Sequence, residues 1–262
     1  LINSKKLHIA ISGTYSTGKT TTAETLSIVT GISKTQARTM REIVPEVFPG
    51  KMLEECSRKE LSRLGLIRFR ERILNEKNIS APIYISDGSC LHEWVYGQGR
   101  LKFGISPKQS YWQSRLRAII GFRLLAKARD FLEIYGSVAK YHAKNEYDVF
   151  IHLPVEFDIK NDGHRPVSNH FREHTDRLLI DTLNEIGLKY HTVSGSIPDR
   201  IEKILQILDL KPIMPIQKAV DLATEKVQNE TIVIEELRRR QRQEFLDKMP
   251  WWKKHFVHFS NE

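Results

Sequence analysis

Leu7-His8-Ile9-Ala10-Ile11-Ser12-Gly13-Thr14-Tyr15-Ser16-Thr17-Gly18-Lys19-Thr20-Thr21 is the stretch that decides the fold. Its second half has two glycines separated by four residues and followed by Lys-Thr, the pattern of a phosphate-binding loop. The apolar, β-branched run before it predicts a buried strand, and Thr21 to Val29, with Ala23, Glu24 and Leu26, predicts a helix. A loop so placed lets successive backbone N–H groups converge on phosphate oxygens at a positive helix end. Gly13, Thr14, Tyr15, Ser16, Thr17, Gly18, Lys19, Thr20 and Thr21 are therefore the expected nucleotide-binding set. Lys19 is expected to reach the β- and γ-phosphates, and the Thr20 hydroxyl to hold Mg2+, a hard cation that prefers oxygen donors.

Composition sets limits around this loop. The 262 residues suffice for one α/β core with an appendage. A 40% hydrophobic and 28% charged chain is that of a soluble globular protein, and no apolar run approaches the eighteen or so residues that span a bilayer. No membrane partner is expected. Lys5-Lys6 leads straight into the strand with no signal-peptide pattern, and Cys56 and Cys90 are too few for a disulfide framework, so the expected setting is cytoplasmic with reduced thiols. The net charge of +9 suits an anionic ligand; nucleic acid is allowed by it but not favoured.

Downstream, Thr30 to Lys51 reads as an irregular connection, with Pro45 and Pro49 limiting regular structure. Arg41 and Glu42 lie within it and are candidate substrate contacts. Helical spacing of Leu61, Leu64, Ile67 and Ile73-Leu74 predicts a crossover helix between Leu53 and Asn78. Pro82 to Asp87 is the second expected strand, and two helices are expected over Tyr111–Leu125 and Ala126–Tyr141. Val149–Leu153 and Leu188–Val193 are further strands flanking a helix over Arg172–Ile186. This alternation predicts an α/β fold, a parallel sheet with helices on both faces, and with the phosphate loop it reads as a P-loop NTPase/kinase core.

Asp87 ends an apolar strand and is the candidate second metal ligand and acceptor of the substrate proton. Ser89, His92, Glu93, Trp94 and Tyr96 follow it closely, a polar and aromatic mixture suited to a small-molecule pocket. Glu42 and Glu93 are the next candidates should Asp87 not be the base.

Gly13–Thr20, Ile85-Ser86-Asp87-Gly88-Ser89, Asp162-Gly163-His164-Arg165 and Val193-Ser194-Gly195-Ser196 with Arg200 together resemble AAA-type P-loop ATP-binding proteins related to ribosylnicotinamide kinases. The resemblance covers about residues 5 to 208 and implies a metabolite kinase with an ATP site, a strand-end acid and an arginine-bearing lid. The chain departs from related kinases in placing Gly88, not Arg or Thr, after the acid. The lid, about residues 154–175, has Lys160, Arg165, Arg172 and Arg177 around Gly163; guanidinium groups match the charge spread over a transferring phosphoryl group. Arg165 and then Arg172 are the catalytic candidates. Ser194, Gly195 and Ser196 either read the adenine edge through backbone groups or form a plain strand-to-helix turn.

Pro212 and Pro215 mark a boundary between a kinase-like domain, 1–210, and a helical C-terminal extension, 211–262. Apolar residues from Ile216 to Leu237 recur at helical spacing, predicting a long helix that packs on the core or pairs two subunits as a homodimer. The reading that follows is an ATP- and Mg2+-dependent kinase phosphorylating a small-molecule acceptor. Its alternatives are a nucleoside or polynucleotide kinase and a regulatory P-loop ATPase acting through a protein partner.

Overall fold

The apolar run preceding the phosphate loop is the central strand of the sheet. The computed structural model describes residues 6–103, 122–156 and 169–250. In it β1 (Leu7–Ser12) lies between β2 (Ile83–Asp87) and β3 (Val149–His152), and β4 (Tyr190–Thr192) follows β3. All pairings are parallel, in the order β2-β1-β3-β4. Beyond β2, Lys34 adds one parallel bridge: Ile85 N–H donates to the Ser33 carbonyl and Thr35 N–H to the Ile85 carbonyl, each at 2.9 Å.

Side chains alternate between the faces of a strand, so an apolar run with both faces covered feeds two cores. Ile9, Ile11, Ile85, Val149 and Ile151 pack with residues of α1 (Lys19–Thr30), α7 (Ile197–Leu208) and α8 (Ile216–Lys248). Ala10 and Phe150 face the other way, onto α4 (Leu91–Phe103), α5 (Phe122–Glu146) and α6 (Asn169–Glu185). A third cluster, with Ile43, Val44, Cys56 and Leu64, joins α2 (Met40–Val47) to α3 (Arg58–Lys77). The α/β parallel sheet with helices on both faces and a helical C-terminal region is thus the fold of this chain.

Several boundaries differ from the sequence expectation for local reasons. The connection expected to be irregular contains α2, which Thr39 and Glu42 start with a reciprocal capping box. Pro45 is tolerated inside it: the lost N–H bond is offset by burial of Ile43 and Val44. Ser57 and Glu60 cap α3 in the same way, so the helix begins at Arg58 and Leu53–Glu55 forms a 3-10 turn. From Phe122 to Glu146 one helix replaces the expected break at Leu125; the segment before Phe122 in the expected helix lies outside the described residues. β4 is three residues long, and α6 begins at Asn169.

The C-terminal helix runs unbroken to Lys248, and its first half seats on the core. Ala219, Val220 and Ala223 are buried, α8 packs chiefly on α1, and Ile213 N–H donates to the Val29 carbonyl at 2.7 Å. Further along, Arg242 donates to both Glu55 carboxylate oxygens at 2.8 and 2.9 Å. Glu24 of α1 is buried between Lys226 of α8 (2.6 Å) and Lys34 (3.0 Å). Burial raises the Glu24 pKa, but the two ammonium groups outweigh it and hold the carboxyl below its usual range. A depressed carboxyl pKa stabilises the fold above the unfolded-state value, and that contribution is lost as pH falls through the folded one. Glu24→Gln should lower unfolding free energy at pH 7 by about 2 kcal/mol, the scale of a hydrogen bond to a charged group. Urea unfolding at neutral and acid pH checks this: the loss should shrink in acid.

Candidate active site

β1 ends at Ser12, and the chain turns at Gly13 with φ 139°. A Cβ there would lie 2.5 Å from the Leu153 carbonyl oxygen and 2.7 Å from Thr17 Oγ1, so only glycine fits this approach to the end of β3. Ser16 (φ 60°) and Gly18 (φ 84°) complete the curl, and α1 starts at Lys19. Thr17 Oγ1 donates to the Thr14 carbonyl at 3.1 Å, and Lys19 Nζ donates to the same carbonyl at 2.5 Å. The Lys19 ammonium is thereby curled over the loop that carries it. The hydroxyls of Thr14 and Thr175 meet at 2.8 Å, tying the loop to α6, whose Thr175 also donates to the Phe171 carbonyl. Tyr15 stacks on Tyr96 of α4 at 4.0 Å, and Arg100 donates to the Tyr15 hydroxyl at 3.4 Å.

The second strand end lies beside the loop's root. Ile11 and Asp87 are in register, and Gly88 N–H donates to the Ile11 carbonyl at 2.9 Å. Asp87 is anchored through its backbone: its N–H donates to Thr35 Oγ1 at 3.3 Å, and its carbonyl accepts from Arg72 at 3.2 Å. Among the described residues no salt bridge engages its carboxylate, which is partly exposed. On the opposite side of the loop, buried Arg200 of α7 donates to the Thr17 carbonyl and to Glu156, both at 2.6 Å.

The chain matches the model of the AAA domain family AAA_28 over residues 8–200. It belongs to that family. Among solved structures, deoxyadenosine kinase from M. mycoides with bound dATP is similar to it, with 16% identity over 78% of this chain and 99% of that chain and a TM-score of 0.54. A second structure of that enzyme, with the products dCMP and a flexible dCDP, aligns at 12% identity over 78% and 98% of the two chains, with a TM-score of 0.47. A search of curated proteins finds no match. The first likeness is one of fold.

In this AAA-family chain the residues proposed for the pocket take different positions. His92 is buried, and its Nδ1 lies 2.9 Å from Ser89 N and 3.1 Å from the Ser89 carbonyl oxygen. Glu93 is buried and ion-paired to Arg68, and its Oε2 has no hydrogen-bond partner among the described residues. Glu93 lines a cavity with Met40, Leu61, Arg100, Phe131 and Tyr135. Tyr96 joins the ring stack on Tyr15. Trp94 points instead into the α4–α5 core, where a Cβ on Gly136 would lie 2.4 Å from its Nε1, so it is a core residue and not a pocket wall. Glu42 is spent on the α2 cap, accepting from Thr39 N–H at 2.7 Å, and Arg41 is half-buried on the same turn.

Arg172 lies one turn into α6, not at its start, and is buried beside the Thr14–Thr175 link through its carbonyl, which accepts from Thr175 at 3.0 Å. Arg165 and most of the lid fall outside the described residues. Ser196 caps α7 with Asp199, and Gly195 N–H donates to Glu156, so Ser194-Gly195-Ser196 forms the turn into that helix. Arg200, quoted only within the family pattern, braces the loop from below. Its one sequence signal was a lone arginine in the first turns of the helix after the last strand.

Burial, followed by the charges of Lys19 and Arg72, pushes the His92 pKa well below its ordinary value. The folded protein keeps this ring neutral while the unfolded chain binds a proton below about pH 6.5. Stability is therefore fully present above that pH and falls as pH drops below it, by up to about 1.4 kcal/mol per pH unit. His92→Asn, which retains an acceptor for Ser89 N–H, should flatten this dependence between neutrality and mild acid. Denaturant unfolding of both proteins across that range is the check.

Proposed function

We propose that this protein is an ATP- and Mg2+-dependent kinase that transfers the γ-phosphoryl group to a hydroxyl of a small metabolite. The observation that carries this reading is the pairing of a curled phosphate loop with a strand-end carboxylate on the neighbouring strand, Ile11 in register with Asp87. The donors suit their proposed ligands. Loop amides from Gly13 to Thr21 and the Lys19 ammonium, now on the Thr14 carbonyl, would take up phosphate oxygens in its place. Thr20, exposed at the start of α1, and the Asp87 carboxylate offer the hard oxygens that Mg2+ prefers. Bound there, the ion would neutralise charge that develops on the phosphate groups.

In the proposed reaction the acceptor oxygen forms the new P–O bond as the bond from the γ-phosphorus to the β–γ bridging oxygen breaks, leaving ADP. Asp87 takes the hydroxyl proton. Arg172, and Arg165 from the lid, are proposed to carry charge on the transferring group. Brought to the loop by the Thr14–Thr175 and Tyr15–Tyr96 contacts, α4 and α6 would keep its curl fixed as the nucleotide changes.

A nucleoside is the second reading for the acceptor; the largely apolar cavity lined by Glu93, Phe131 and Tyr135, about 80 Å³, would have to widen to take its base. The deoxyadenosine kinase likeness is in keeping with it. A regulatory ATPase would instead hydrolyse ATP at a rate indifferent to acceptors.

The test is phosphate transfer from labelled ATP to a panel of nucleosides and other hydroxylated metabolites. Acceptor-dependent ADP release is expected, while acceptor-independent hydrolysis alone would sink the kinase reading. Lys19→Ala should abolish transfer and weaken nucleotide affinity in a folded protein. Asp87→Asn should retain ATP binding but lose transfer by roughly two orders of magnitude or more, the scale of a general base with a misplaced metal. Near wild-type transfer by Asp87→Asn removes Asp87 from the mechanism.

A further inference from the structure

α8 is one continuous helix with two separate attachments. Near its start Ala219, Val220 and Ala223 are buried, Ala219 within the cluster that α1 shares with the sheet. Val227, Ile234, Arg238 and Phe245 continue the same side, all seven residues falling within about 100° of the helix circumference. At the far end this side meets the chain between α2 and α3. Arg238 is buried with its Nη2 3.9 Å from Met52 Sδ, Arg242 donates to both Glu55 carboxylate oxygens, and the Phe245 ring leaves no room for a Cβ at Gly50. Glu55 also accepts from Met52 N–H at 2.7 Å, so the carboxylate that Arg242 grips is the one that closes the 3-10 turn. The two side chains of this ion pair are 20% and 26% exposed, and water screens them less than it would a pair on the open surface.

The segment so held has a core of its own. Ile43, Val44, Cys56 and Leu64 form a cluster that shares no residue with the two clusters on the sheet. Where the chain leaves α1 toward this cluster, Ile213 N–H bonds the Val29 carbonyl and Glu24 joins Lys34 to Lys226. The strand of contacts from Ile213 to Phe245 therefore ties the chain between Val29 and Glu55 at both of its ends. α8 itself lies outside residues 8–200, the part of the chain that matches the family model.

What the tie controls follows from the cavity beside Glu93. Met40 and Leu61, which pack on the third cluster, line it together with Phe131, Leu132 and Tyr135 of α5. We propose that Arg242 and Phe245 are positioning residues: through Glu55 and Gly50 they hold α2 and the 3-10 turn in place relative to α1, and so set the width of this cavity for the acceptor. The use of the cavity by an acceptor rests on the kinase reading, whereas the tie itself does not.

Hydrogen exchange and transfer kinetics on the full chain test the two parts separately. Arg242→Ala and Phe245→Ala should each speed exchange of the amides of residues 40–56 roughly tenfold and leave those of α1 and the strands unchanged. Arg242→Lys, which keeps a cation for Glu55, should fall between Arg242→Ala and the wild type. ATP affinity should stay within about twofold in all three, since none of these side chains touches the phosphate loop. With an acceptor found in the transfer panel, its KM should rise roughly tenfold in Arg242→Ala while kcat stays within about twofold, the split of a displaced binding wall and not of a damaged reaction centre. Unchanged exchange over residues 40–56 overturns the proposal, as does equally faster exchange in α1, the mark of general destabilisation. Faster exchange over residues 40–56 with an unchanged acceptor KM overturns the role of the tie in acceptor binding. A wild type that transfers phosphate to no acceptor sinks the kinase reading instead, and the exchange result then still decides whether α8 holds α2.

Discussion

The close approach of Gly13 to the Leu153 carbonyl is the constraint on which the rest of the site depends. It exists because β1 and β3 are adjacent parallel strands ending at the same level, Ser12 in register with His152. A chain leaving β1 must pass over the end of β3, and a side chain at residue 13 would collide with it. The loop is thus seated by backbone sterics and then braced. Arg200 and Glu156 hold it on the β3–β4 side, while Thr175, Tyr96 and Arg100 hold it from the helices on the opposite face of the sheet. A phosphate cradle whose amides are fixed beforehand needs little reorganisation when a nucleotide arrives.

On the β2 side of β1 the support is polar and deeply buried. Arg72 donates to Ser86 Oγ and to the Asp87 carbonyl, Ser86 donates to Glu76, and Glu76 also accepts from Tyr147 and His142. Placing so many polar groups away from water is tolerable because each side chain finds at least one partner, though Arg72 Nε has none among the described residues. The network links α3 and α5 to the strand end and fixes the backbone of Asp87. Gly88 belongs to the same arrangement: with φ 84°, a Cβ there would lie 3.3 Å from the Arg72 guanidinium. The departure from the related kinase pattern at residue 88 therefore coincides with a buried arginine from another helix occupying that neighbourhood.

Much of the fold was legible because its signals are local. The phosphate loop, the β-branched strands and the helix caps are written in neighbouring residues, and β1, β2 and β3 fall where the apolar runs place them. The irregular reading of residues 30–51 did not hold, because Pro45 was weighed without the Thr39–Glu42 cap or the buried pair Ile43-Val44. Trp94 was misplaced for a related reason. Aromatic side chains near a strand end suit a pocket and a core alike, and only Gly136 on a helix more than forty residues away makes room for its ring.

By itself the sequence determined that the chain binds its strands in parallel and presents a Gly13–Thr20 loop between a strand and a helix, since backbone conformation and side-chain period act over a few residues. Tertiary structure alone decided which side chains share a space. It brought Arg200 beneath Thr17, Arg68 against Glu93 and Lys226 against Glu24, pairs separated by 183, 25 and 202 positions. It also decided that α8 lies along α1. Long-range pairing of this kind depends on strand order and on which helix face turns inward, and neither is encoded in the spacing of any one segment.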